Sequence, residues 1–116
     1  RVAACCMLGA FAEVAVAPDF LTFPLSERLD YAQGAGLILN YHTAYFSLAM
    51  RGRLAEGETV LVHGAAGGVG TATLQIAKGL GARTACVEEP DRHHFNVIDG
   101  LADPDHAMTR ALCGDA

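Results

Sequence analysis

The stretch Thr59–Ala82, TVLVHGAAGGVGTATLQIAKGLGA, decides the fold. Val60, Leu61 and Val62 form a short, mostly β-branched apolar run, as a parallel strand covered on both faces requires. His63-Gly64 ends that run, and Ala65-Ala66-Gly67-Gly68-Val69-Gly70 makes a glycine-rich turn. From Val69 onward, Leu74, Ile76, Ala77 and Leu80 recur at helical spacing, and Gly79 and Gly81 supply the stop. Thr84-Ala85-Cys86-Val87 has the composition of a second parallel strand. The order strand, glycine turn, helix, strand predicts an α/β fold.

A dinucleotide site needs these residue types in this order. The first small residue lets the chain leave the strand sharply. The second, Gly67, has no Cβ and lets backbone approach a pyrophosphate. The third, Gly70, lets the helix pack closely on the strand, and the helix N-terminus offers free N–H groups and the positive end of its dipole. Ala65 stands where the first glycine usually falls, so the pattern is AxGxxG. Its setting between a strand and a helix gives the motif its weight and predicts a partial Rossmann-type unit. The alternative is a tight strand-to-helix turn with no ligand. A phosphate-binding P-loop is excluded, because no Lys-Ser or Lys-Thr follows the glycines.

The segment NYHTAYFSLAMRGRLAEGETVLVHGAAGGVGTATLQIAKGLGA, Asn40–Ala82, resembles the zinc-independent quinone oxidoreductase branch of the medium-chain dehydrogenase/reductase superfamily. The residues that carry the resemblance are Asn40, Thr43-Ala44-Tyr45, the lead-in Gly57-Glu58-Thr59-Val60-Leu61-Val62, and Ala65 to Gly70. Upstream, GAFAEVAVAP (Gly9–Pro18) resembles the family strand that precedes the crossing into the nucleotide domain. The likeness runs from Arg1 to Arg83 and ends near Thr84.

That resemblance implies a division of the chain. Residues 1–25 would be the C-terminal part of a catalytic GroES-like β domain. Residues 26–89 would hold the linking helices and the N-terminal part of the nucleotide-binding domain, and 90–116 a divergent tail. It also implies a longer enzyme, of which this stretch, opening on Arg1, is expected to be an internal or truncated piece. In the family, hydride passes from NADPH to a quinone or an α,β-unsaturated carbonyl compound, without a metal. Asn40 and Thr43 match the segment beside the nicotinamide, and Ala65, Ala66, Gly67, Gly68, Val69 and Gly70 match the pyrophosphate turn.

The ribose end gives two conflicting signals. Glu88 and Glu89 stand eighteen and nineteen residues past Gly70, close to the distance at which an acidic side chain reads a 2′-hydroxyl. A carboxylate there favours NADH. The resemblance implies NADPH, with Arg92, His93 and His94 at hand for a 2′-phosphate. NADPH is the expected cofactor and NADH the alternative.

Composition narrows the classes. The chain has 116 residues, room for one small domain. Its hydrophobic content of 52% argues for a core rather than disorder. The net charge is −5 and no basic cluster exceeds Arg51-Gly52-Arg53, so no nucleic-acid footprint is present. Apolar runs are too short or interrupted to span a bilayer, and no basic-then-apolar leader opens the sequence. A cytoplasmic protein is expected. Cys5, Cys6, Cys86 and Cys113 form no CxxC pair, which points to free thiols rather than zinc or disulfides. His93, His94, His106 and Cys113 lack any recognisable metal-ligand spacing.

In chain order, Arg1–Met7 suits a strand, and Phe11–Val16 alternates like a half-buried one. Phe20–Pro24 reads as an extended link. Asp30 is the expected N-cap of a helix over Tyr31–Leu39, in which Gly34 and Gly36 point to close packing. A second helix is expected over Tyr41–Arg51, stopped by Gly52, with Tyr41, Tyr45 and Leu48 on one stripe. Without a cofactor, Asn40 would be a helix cap, Thr43 would bond its own helix backbone, and His42 would lie on the surface. Beyond Pro90 only His106–Leu112 has helical character.

No catalytic acid or base is nominated, since no Ser-His-Asp, Cys-His or paired-carboxylate arrangement appears. Three readings remain open: a fragment of an NADPH-dependent reductase, a non-catalytic dinucleotide-binding module, or an inactive remnant. The partners expected are a small-molecule electron acceptor and, by resemblance, a second copy pairing through the nucleotide domains; nucleic acid and membrane are not expected.

Overall fold

The computed structural model describes residues 1–84 and 99–113. The architecture is α/β, as expected. Two short strands open it: β1, Val2–Ala4, runs antiparallel to β2, Thr22–Pro24, pairing Val2 with Pro24, Ala3 with Phe23 and Ala4 with Thr22. The stretch read as an extended link therefore supplies a paired strand. A single 3-10 turn, Asp19–Leu21, aims it, with the Thr22 hydroxyl donating to the Pro18 carbonyl at 2.8 Å. Backbone bonds from Cys5 N–H to Leu21 O and from Leu25 N–H to Arg1 O extend the pairing at both ends.

The strand expected over Phe11–Val16 does not form. This stretch is a series of bends, and Phe11, Val14 and Val16 are exposed. Its alternation satisfies the period of a strand, but a strand also needs a neighbour to take its N–H and C=O groups. Among the described residues none is hydrogen-bonded to it as a strand.

Asp30 caps a helix, α1, Tyr31–Tyr45. Its side chain accepts from the Gln33 N–H at 2.7 Å while Gln33 Oε1 accepts from the Asp30 N–H at 2.9 Å. This reciprocal capping box satisfies two of the donors that a helix start leaves orphaned. The two helices read from the sequence are one: α1 passes through Asn40 without a break and widens into a π-helical turn over Phe46–Arg51. Asn40 is a mid-helix residue, not a cap. Neither glycine nor proline interrupts Leu39–Tyr41, so no residue there forces a stop. The wide turn closes with Gly52 N–H donating to Ser47 O at 2.7 Å. Gly52 thus ends the helix as expected, and Arg53 comes next at φ 52°, a left-handed conformation uncommon for a side-chain-bearing residue.

β3, Thr59–Val60, and β4, Arg83–Thr84, lie parallel, pairing Thr59 with Arg83 and Val60 with Thr84. The strand is shorter than expected: Leu61 and Val62 already lie beyond the ladder and, like Val60, are half-buried. Between β3 and β4 runs α2, Gly68–Gly79. The rest of the expected second strand, Ala85, Cys86 and Val87, falls outside the described residues, as do Glu88, Glu89, Arg92, His93 and His94. A 3-10 turn over Asp99–Ala102 and a short helix, α3, Ala107–Cys113, complete the chain, α3 matching the helical character read over His106–Leu112.

The core is thin. Its buried apolar residues are Ala3, Leu25, Ala44, Ala72 and Ala77, and among the described residues no large side chain is fully buried. α1 and α2 pack against each other, and the residues they bury are small, Ala44 with Gly34 on one helix and Ala72 and Ala77 on the other. Gly34 has a partner of a different kind: Leu25 sits so close that a Cβ there would lie 2.8 Å from its Cδ2. The expected close packing at Gly34 is thus against a side chain, while Gly36 has only Asn40 Nδ2 within 4 Å.

Two substitutions test this framework. Asp30→Ala removes the cap and is expected to cost about 1 kcal/mol of stability in chemical unfolding. Arg53→Gly relieves the left-handed backbone and is expected to raise stability by up to about 1 kcal/mol, read as a higher melting temperature.

Candidate functional site

The glycine turn is where the chain brings unlike parts together. Gly64 takes φ +65°, the left-handed region, and turns the chain out of the β3 direction. The positive φ therefore falls on the residue ahead of the AxGxxG pattern, not within it. Gly67 is the N-cap of α2, with φ −76° and ψ 166°, and its N–H donates to Gly64 O at 2.9 Å. The first helical bond runs from Thr71 N–H to Gly67 O at 2.8 Å. The amides of Gly68, Val69 and Gly70 precede it and are the orphan donors of the helix start.

Each glycine of the turn meets a different constraint. A Cβ on Gly70 would collide with Gly64 O and stand 2.7 Å from Ala65 Cα, so helix backbone rests directly on turn backbone. A Cβ on Gly67 would meet Gly64 O at 3.3 Å, a tight but lesser contact, and Gly67 is exposed on its other side. Thr71 adds a clip that sequence reasoning missed: its hydroxyl donates to Ala65 O at 3.1 Å. A threonine immediately after the last glycine of the motif is the signal that would have found it.

Asn40 and Gly68, far apart in sequence, meet here. A Cβ on Gly68 would lie 2.6 Å from Asn40 Nδ2 and 3.2 Å from its Cγ. Gly68 occupies an unspecified position of AxGxxG, and its close neighbour there is the end of the Asn40 side chain rather than backbone. Thr43 lies three residues beyond Asn40 on α1, hence on a neighbouring part of the same face, and is exposed. Tyr41, read as a packing residue, fixes the two helices instead by a hydrogen bond, its Oη donating to Gln75 Oε1 at 2.7 Å. His42 is exposed and meets the Phe23 ring edge-on, with centroids 5.6 Å apart.

The site has the character of an anion cradle. Ala66, Gly67, Gly68 and Val69 are exposed, no side chain caps α2, and its first turn carries no acidic residue. The dipole end and the free amides thus meet no carboxylate from the helix's own first turn. The missing Cβ at Gly67 leaves backbone at the surface where a phosphate oxygen can reach it. These features fit a dinucleotide's pyrophosphate. Among the described residues no three His, Cys, Asp or Glu side chains are grouped closely enough to hold a metal ion.

Known proteins share this arrangement. Rat quinone oxidoreductase (Rattus norvegicus) is 51% identical over 75 residues, covering 65% of this chain and 23% of that protein. The quinone oxidoreductase of Thermus thermophilus, whose structure was also determined in complex with NADPH, superposes with a TM-score of 0.68 at 37% identity. That match covers 72% of this chain and 28% of the other. A probable oxidoreductase from Mycobacterium abscessus superposes with a TM-score of 0.67 at 56% identity, over 72% of this chain and 27% of its own. The matched stretch belongs to the quinone oxidoreductase branch of the medium-chain dehydrogenase/reductase family. The relatives named here are oxidoreductases. The chain spans about a quarter of the length of the curated relatives it matches. A scan against protein-family models found no match.

The backbone contacts at Gly70 make a ranked prediction. Gly70→Ala is expected to destabilise the fold by about 1–3 kcal/mol, since its Cβ meets backbone that cannot swing aside. Gly67→Ala should cost clearly less, its one close neighbour standing at 3.3 Å. Equal losses in parallel urea titrations would contradict this account of the turn.

Proposed function

We propose that this chain supplies the pyrophosphate turn and part of the nicotinamide side of an NADPH site, in a reductase that delivers hydride to a quinone or an α,β-unsaturated carbonyl compound. The observation that carries the reading is the uncapped N-terminus of α2, with no acidic residue in its first turn, beside the Cβ-free backbone of Gly67. When bound, the cofactor would supply the hydride. The protein's part is binding and orientation.

In this reading the amides of Gly68, Val69 and Gly70 receive the pyrophosphate, with Ala65 and Ala66 shaping the entry to the turn. Asn40 and Thr43, on one face of α1, stand on the side from which the nicotinamide would approach. Residues 1–25 would belong to the catalytic β domain and 26–89 to the linking helices and nucleotide domain. Glu88, outside the described residues, would lie at the ribose. NADPH is preferred over NADH by the Thermus relative's complex, and metal-free transfer by the branch to which the matched stretch belongs. No helix of the described residues is long and apolar enough to cross a membrane.

Calorimetric titration of the purified chain with NADPH, and with NADH for comparison, tests the proposal. Saturable NADPH binding that is lost in Gly67→Val, with helix content retained by circular dichroism, is the expected outcome. Binding that survives Gly67→Val would sink the assignment of the pyrophosphate to this turn. The ratio of NADPH to NADH affinity decides whether Arg92, facing a 2′-phosphate, or Glu88, facing a 2′-hydroxyl, governs the ribose end.

A further inference from the structure

Gly68 is unspecified by the dinucleotide pattern, yet the structure gives it a definite neighbour. The side chain of Asn40 stands within the space that a Cβ on Gly68 would need, with Nδ2 at 2.6 Å and Oδ1 at 3.3 Å from that point. Asn40 is half-buried in the middle of α1, and Gly68 is the first residue of α2. Farther along the same pair of helices, the hydroxyl of Tyr41 reaches Gln75. The helices are thus joined at two levels: a hydrogen bond between side chains toward the middle of α2, and a side chain set against bare backbone at its start.

We propose that Asn40 is a positioning residue. Its side chain acts as a spacer that fills the place of the missing Cβ at Gly68 and fixes the first amides of α2 relative to α1. It acts through the turn, by its volume, rather than by a hydrogen bond to the nicotinamide. The inference rests on the cofactor reading above. It comes from shape: a side chain wedged against backbone restricts the approach of two elements, as close packing does elsewhere in protein interiors. Emptying the wedge lets α2 slide and blurs the geometry of the Gly68, Val69 and Gly70 amides. Filling it from the other side, with a Cβ on residue 68, forces Asn40 away.

Volume and hydrogen bonding separate cleanly in one pair of variants. Asn40→Leu keeps nearly the same side-chain shape without the amide, and Asn40→Ala removes both. NADPH affinity, followed by fluorescence titration of the full 116-residue chain, is expected to fall about tenfold in Asn40→Ala and to stay within about threefold of the unsubstituted chain in Asn40→Leu. Hydrogen exchange of the Gly68, Val69 and Gly70 amides, without cofactor, should quicken in Asn40→Ala only. The double variant Asn40→Ala with Gly68→Ala should bind about as well as Asn40→Ala alone, because the new methyl enters vacated space.

Equal loss of affinity in Asn40→Leu and Asn40→Ala, with amide exchange unchanged, would overturn the spacer role and leave the proposed cofactor site standing. So would losses that simply add in the double variant. Failure of the unsubstituted chain to bind NADPH would bring down the cofactor reading itself, and this inference with it.

Discussion

Backbone resting on backbone at Gly70 is the constraint on which the rest of the site depends. With no Cβ between them, the first turn of α2 lies against Gly64 and Ala65, and the helix start is held close to the end of β3. The left-handed Gly64, the Gly67 amide bonded to its carbonyl and the Thr71 clip all serve that approach. Because the first donors of α2 are then neither capped by a side chain nor opposed by a carboxylate of the helix's own first turn, the turn that closes the packing also opens an anion site. Structure and chemistry share the same few atoms.

Much of this was legible from local residues. The Asp30 cap depends on chemistry within four residues, and the glycine turn on the conformations only glycine tolerates, so both survive translation into three dimensions. The illegible parts depended on partners. Phe11–Val16 has the alternation of a strand, but alternation describes two faces and says nothing of a neighbour to pair with. Asn40 has the composition of a cap. It lies instead inside a helix that nothing at Leu39–Tyr41 interrupts, and its neighbour Gly68 comes much later in the sequence. Tyr41 showed only an aromatic ring on a helix; its bond to Gln75 needed the second helix in place.

The same distinction runs through the candidate site. The pattern AxGxxG located the turn, and the resemblance drew attention to Asn40 and Thr43. Neither indicated that Asn40 would meet Gly68, because the pattern leaves that position free. The sharp exit from the strand, read at the motif's first residue, Ala65, begins one residue earlier, at the left-handed Gly64. The ribose end stays with Glu88 and Arg92 as a matter of chemistry alone.

The wide turn at Phe46–Arg51 has an effect on direction. An ordinary helix advances by about 100° per residue, so each residue's facing is settled by counting from the first turn. In the wide turn the Gly52 amide reaches back to Ser47, one residue farther than in an α-helix, and the count slips. The slip works as a gear change between α1 and the link beyond Gly52. The bearing on which the chain sets out toward β3 is chosen inside the helix, before the first loop residue is reached.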